Sequence, residues 1–301
     1  MSDARDYPLW LPARGRRIFW FPLTRFILAM IFFIAFVGLA MGIGSILSGS
    51  LEGSVSESGM SALRMVLTCT ASVAGYWLYC RWIENRKMTE MDPRKLVRQT
   101  GLGLLLGFGF ISLIMLLMAV FGGYKISGLN SIDILVPVLI MSLQAGIVEE
   151  ILSRGIIFRI AEEGIGTWLS VILSAFIFGF LHIWNPNATV FSSVSIALTA
   201  GVILAMLYVI TRQLWIVIGM HIAWNFTLGG IYGAPVSGGD PAGLFKASFS
   251  GPEWLTGGPF GPEASVITLG VFILFGIFLI WKSIRDKSYV KPLWRKKNET
   301  G

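Results

Sequence analysis

Charge is scarce in this chain. Only 14% of its 301 residues are Asp, Glu, Lys or Arg, 54% are hydrophobic, and the mean hydropathy is +0.72. So little charge excludes a disordered segment and an ordinary cytosolic or secreted domain. Cysteine is nearly missing as well. Cys69 and Cys80 fall on one predicted helix, eleven residues and so ~16 Å apart, too far for a disulfide, and they read as packing residues. There are two histidines, His182 and His221, and no HExxH string of the zinc-protease type. The net charge of +7 invites a nucleic-acid partner until the Lys and Arg positions are read, because they sit at the edges of apolar runs. No nucleic-acid binding is expected.

Long apolar runs fill the rest. About 20 residues at 1.5 Å each cross a bilayer core of ~30 Å. Runs of that length are predicted at 26–47, 61–80, 101–121, 134–158, 167–186, 190–210, 214–232 and 264–283. The expected fold is an all-α polytopic membrane protein of about eight transmembrane helices with both termini cytoplasmic. Threading the chain this way leaves only Arg64, Lys125 and Lys246 of the 24 basic residues outside, the asymmetry that orients membrane proteins. The expected organisation is a basic interfacial arm over 1–25, three helices within 26–121, a core over 134–230, a Gly- and Pro-rich outer loop over 233–263, a last helix at 264–283 and a basic tail over 284–301. Trp10, Trp20 and Phe21 beside Arg16 and Arg17 suit an interfacial anchor. The outer loop is long enough to act as a lid or a tether. Gly103 with Gly107, and Ala175 with Gly179, are spaced for close helix packing.

An ionisable group inside a span costs ~2.5 to 3.5 kcal/mol on insertion scales, so each one needs a partner or a task. The string VEEILSRG carries Glu149, Glu150 and Arg154. Glu150 and Arg154 lie one turn apart in the order that favours an ion pair, and Glu149 is rotated ~100° away from them. His182 follows Phe178 by one turn, and His221 precedes Asn225 by one turn. Gly146, Gly179 and Gly219 sit within a turn of these groups and allow close approach. Two imidazoles, an amide and a carboxylate pair on three spans point to one shared polar site. Two readings of such a site stay open on the residues alone: a hydrolytic centre, or the proton relay of a proton- or ion-coupled transporter.

The strings EExxxR (Glu149, Glu150, Arg154), FxxxH (Phe178, His182) and HxxxN (His221, Asn225), in this order on successive spans, resemble the signature of the CPBP or Abi intramembrane proteases, which include CAAX prenyl protease 2 and lysostaphin resistance protein A. The resemblance covers about 134–230. It implies an intramembrane endopeptidase acting on a membrane-bound protein or peptide, with the bacterial cytoplasmic membrane as the expected location. Glu149 would activate water with help from His182, His221 and Asn225 would hold the oxyanion, and Glu150 with Arg154 would fix the helix geometry. Phe178 would support the site. A metal-free mechanism is favoured over zinc, because Asn225 and Phe178 are poor ligands beside the two histidines. The family also holds catalytically silent members of the bacteriocin-immunity type. Straight helices would put Glu149 ~22 Å from the outer edge and His221 ~10 Å from the inner one, with His182 near the outer end, so convergence requires tilted or interrupted helices.

Overall fold

The computed structural model describes residues 21–296. The expected arm over 1–25 therefore lies almost wholly outside the described residues, as does the end of the tail. In lipid the backbone must satisfy its own hydrogen bonds, and this chain does so as helices. They are α1 (Pro22–Ser50), α2 (Glu57–Leu78), α3 (Leu96–Val120), α4 (Leu135–Glu150), α5 (Arg159–Leu181), α6 (Val190–Ile196), α7 (Val202–Thr211), α8 (Leu214–Asn225) and α9 (Val266–Arg285).

Six helical units among the described residues are long and apolar enough to cross a membrane: Pro22–Ser50, Thr89–Val120, Ile132–Trp184, Val190–Thr211, Leu214–Ile231 and Val266–Arg285. The all-α polytopic reading holds at this level. Two features separate six units from the expected eight. Ile132–Trp184 runs for 53 residues, and Gly166 interrupts it with φ 77 and ψ 169, between the two runs read from the sequence. α2 is the least apolar long helix, with Ser61, Thr68, Thr70 and Ser72 along it.

Helical turns widen by one residue at four places, as π turns at Tyr79–Ile83, Ile151–Phe158, Ala197–Gly201 and Phe226–Ile231. Such turns collect at functional sites because they free carbonyls and re-aim side chains. Two of the four, Ile151–Phe158 and Phe226–Ile231, adjoin the candidate site residues Glu150, Arg154 and Asn225.

α8 is the hub. In its apolar stretch 83% of residues are buried, against 17% in α1, whose Ile27, Ile31, Ile34 and Leu39 face outward. Glycine makes this packing possible. A Cβ on Gly103 would stand 2.2 Å from the Ile216 carbonyl oxygen, and one on Gly107 2.5 Å from that of Met220, so α3 and α8 meet backbone to backbone. Gly179 of α5 meets the Ser193 carbonyl in the same way, and Gly219 meets Thr100.

Within 233–263, a loop by sequence, part of the chain forms a strand. β1 (Tyr124–Leu129) and β2 (Phe245–Phe249) pair antiparallel, Tyr124 opposite Phe249 and Leu129 opposite Phe245, with a bulge between Ile126 and Gly128. Tyr124 meets Tyr232 edge-on and Phe249 at a tilt, so this two-stranded sheet ties the end of α3 to the chain that follows α8.

Candidate active site

The last turn of α4 carries Glu149 and Glu150, and the wide turn after it carries Arg154. Glu150 and Arg154 are fully buried. Arg154 Nη1 donates to Glu150 Oε1 at 2.9 Å, and Nη2 donates to the carbonyls of Ala200 (3.2 Å) and Gly201 (2.9 Å), in the wide turn between α6 and α7. Its guanidinium also lies 4.5 Å from the centre of the Phe178 ring. A buried ion pair needs further hydrogen bonds, and here a second segment supplies two carbonyl acceptors to Arg154, while Arg154 Nε and Glu150 Oε2 make no hydrogen bond among the described residues.

His221 Nδ1 stands 2.8 Å from the same Glu150 Oε1. An oxygen that accepts from Arg154 belongs to a carboxylate, so Nδ1 is the donor. That assignment leaves Nε2 as the working nitrogen. It lies 4.0 Å from Glu149 Oε2. Glu149 is half-buried, with 37% of its side chain exposed, while Glu150 is sealed.

His182 opens a short 3-10 turn at the end of α5. Its Nδ1 meets the Phe178 carbonyl at 2.8 Å, and a carbonyl only accepts, so Nε2 is again the free nitrogen. Phe178 lies between the imidazoles, its ring 5.0 Å from His182 and 5.9 Å, edge-on, from His221. Asn225 ends α8 one turn beyond His221 and is buried.

A cavity of about 330 Å³ is lined by Glu149, Phe178, His182, His221 and Asn225. Glu150 and Arg154 stand behind it. Glu149, His182 and His221 line this one cavity although straight helices would set them at different depths. Of the two histidines, His221 is the one with a ring nitrogen at 4.0 Å from Glu149.

Sequence reasoning missed part of the lining. Asn185, Ser237, Asp240 and Glu263 also face the cavity. Glu263 is buried, accepts from Trp224 Nε1 at 2.9 Å and from Ser237 Oγ at 3.1 Å, and takes a further bond from the Ser237 N–H. Burial pushes its carboxyl above the ordinary range, against the pull of Ser237, His182 and Trp224. The available signal was an acidic residue in the loop string GPEAS directly before an apolar helix.

Zinc fits this arrangement poorly. A hydrolytic zinc site takes three protein ligands. Among the described residues no three His, Cys, Asp or Glu side chains are grouped to hold an ion. Each imidazole already commits Nδ1, so Glu149 and two Nε2 atoms would have to close on one point.

Residues 131–227 match the family model described as type II CAAX prenyl endopeptidase Rce1-like. No curated protein and no solved structure matches the chain.

Proposed function

We propose that this protein, whose residues 131–227 match the type II CAAX prenyl endopeptidase Rce1-like model, is an intramembrane endopeptidase that cleaves a membrane-associated protein or peptide with water activated by Glu149. One observation carries the reading: Glu149, His182, His221 and Asn225 line a single cavity, with Glu149 Oε2 4.0 Å from His221 Nε2.

Peptide hydrolysis needs a base for water and a donor for the developing oxyanion. In this scheme a water lies between Glu149 and His221 Nε2. Glu149 takes its proton as the oxygen attacks the scissile carbonyl, and later returns that proton to the leaving amine. Glu150, anchored by Arg154, keeps the hydrogen on His221 Nδ1. Asn225 supplies a neutral N–H to the oxyanion, which suits it because both imidazoles commit their Nδ1–H elsewhere. His182 Nε2 accepts from the water or from the substrate backbone. The reaction uses no metal. In the same proposal the chain crosses eight times, with Ile132–Trp184 divided at Gly166 and α2 counted as a span, and Asn185 and Ser237 of the cavity lining then belong to outer segments.

The test compares membrane-protein N-termini in cells producing the wild type or Glu149→Gln. New N-termini are expected with the wild type alone, and they should persist when the purified protein is assayed after chelation. Identical N-termini in both cell lines would overturn the protease reading. Cleavage lost on chelation and restored by zinc would overturn the metal-free mechanism. Altered ion flux without proteolysis would favour transport.

A further inference from the structure

The ionisable side chains that line the cavity are Glu149, His182, His221, Asp240 and Glu263. Asp240 is exposed, whereas Glu263 is only 4% exposed and takes no part in the proposed hydrolysis. It also lies beyond the matched residues 131–227. A buried acid is costly unless donors meet it, and an apolar side chain would fill the same space more cheaply.

The donors that meet Glu263 come from two separate segments. Trp224 Nε1, on the last turn of α8 beside Asn225, donates to Oε1 at 2.9 Å. The Ser237 N–H and Ser237 Oγ, the latter at 3.1 Å, donate to Oε2. The carboxyl group therefore bridges α8 and the stretch 236–242, of which Val236, Ser237, Gly239, Asp240 and Ala242 line the cavity. Its own backbone is fixed. Ser195 Oγ of α6 donates to the Glu263 carbonyl at 2.7 Å, and Thr268 Oγ1 of α9 donates to that of Pro262 at 2.6 Å.

The bridged stretch is strained. Ser237 has φ 48, which side chains disfavour, and a Cβ on the next residue, Gly238, would stand 1.8 Å from the Pro186 carbonyl oxygen. Asn185 Nδ2 and Asn187 Nδ2, in the chain just after His182, donate to the Ser237 and Gly238 carbonyls at 3.0 Å each. Such a backbone persists where its surroundings over-determine it, and strained positions collect at active sites.

We propose that Glu263 is a positioning residue for the cleavage, a clamp that holds residues 236–242 as a fixed wall of the cavity and ties that wall to the turn of α8 that carries Asn225. The proposal rests on the protease reading for its consequence, but the wall can be probed without turnover.

The probe is a water-soluble methanethiosulfonate carrying a trimethylammonium group. The reporter is Ala200→Cys, a buried position on the cavity lining, in detergent-solubilised full-length protein. Cys69 and Cys80 are buried, and protein without the reporter gives their background. Glu263→Gln puts an NH2 donor in place of one acceptor oxygen, so it cannot receive both Trp224 and Ser237. Labelling should then quicken about tenfold, the weight of one hydrogen bond on the opening equilibrium. Ser237→Ala should quicken it less, and adding Ser237→Ala to Glu263→Gln should change little, because both act on one contact. No change in Glu263→Gln, or a double variant whose rate is the product of the single effects, overturns the proposal. Glu84→Gln is the control for general loosening, since it breaks a buried ion-pair cluster none of whose members lines the cavity. An equal rise there overturns the clamp as well. If Glu263→Gln fails to fold, Ser237→Ala and Trp224→Phe, which drops the N–H but keeps a ring against Phe272, should each speed labelling, and unchanged rates in both overturn it. On a peptide spanning a cleavage site found by the N-terminus comparison, Glu263→Gln should raise KM, which a mere loss of folded protein would not do. An unchanged KM overturns the positioning role. Faster labelling together with no cleavage by the wild type would sink the protease reading and leave the clamp standing.

Discussion

At the scale of single residues, the buried pair Glu150 and Arg154 carries the most consequence, because neither can lose its partner cheaply. Arg154→Ala would strand the Glu150 carboxylate and two carbonyls, so a loss of about 3 to 5 kcal/mol is expected, read as a lower unfolding temperature in detergent. Arg154→Lys should recover little, since one ammonium cannot reach acceptors on two helices. A stability equal to wild type in Arg154→Ala would remove the pair from the framework. The pairing was legible in the sequence, because the contact is local and follows from helical pitch. The link from His221 to Glu150 was not, because it joins residues 71 positions apart and depends on how closely α4 and α8 approach. Glu263 was hidden for a related reason: Trp224 and Ser237, which hold it, come from two other segments.

At the scale of elements, the contact between α3 and α8 sets where His221 stands. Gly103→Ala drives a methyl group into the Ile216 carbonyl, and overpacking of this kind costs about 1 to 3 kcal/mol. The proteolysis assay should show activity falling with stability. Gly109→Ala is the control, since its Cβ would enter open space, and near-normal activity is expected. Equal behaviour of the two variants would refute the close-approach argument. The spacing of Gly103 and Gly107 already announced such a contact, as did most helix positions, since apolar length and flanking charge are written locally. The wide turns carried no comparable mark. A π turn follows from the tertiary partners it serves, as Arg154 does with Ala200 and Gly201. The two-stranded sheet was also unreadable, because its strands are short and lie far apart in the chain.

At the scale of the whole molecule, a charged network near the ends of α1, α2 and α5 binds the expected cytoplasmic side. Glu84 joins Arg25, Arg86 (2.6 Å) and Arg159 (2.8 Å), while Tyr79 bonds to both Glu84 and the Arg25 carbonyl. Burial opposes ionisation of Glu84, but Arg159, Arg86 and Arg25 outweigh it and bring its pKa from 4.5 to about 2. A depressed carboxylate contributes its stability above the unfolded value and loses it as pH falls. About 3 kcal/mol should therefore be present above pH ~4.5 and fade toward pH ~2. Thermal unfolding in detergent across this range checks it, and Glu84→Gln should flatten the slope. A wild-type slope no steeper than that of Glu84→Gln would refute the network's role. The Lys and Arg positions showed only that basic residues gather on one expected side, whereas their acidic partners come from separate segments. The wide turn at Ile151–Phe158 has a last consequence, because it holds one surplus residue relative to the ordinary spiral. Excising that residue would close the turn to ordinary pitch and leave the downstream helix nearly in register, yet it would withdraw the local geometry from which Arg154 reaches the Ala200 and Gly201 carbonyls. Circular dichroism would not see such a lesion, and turnover would.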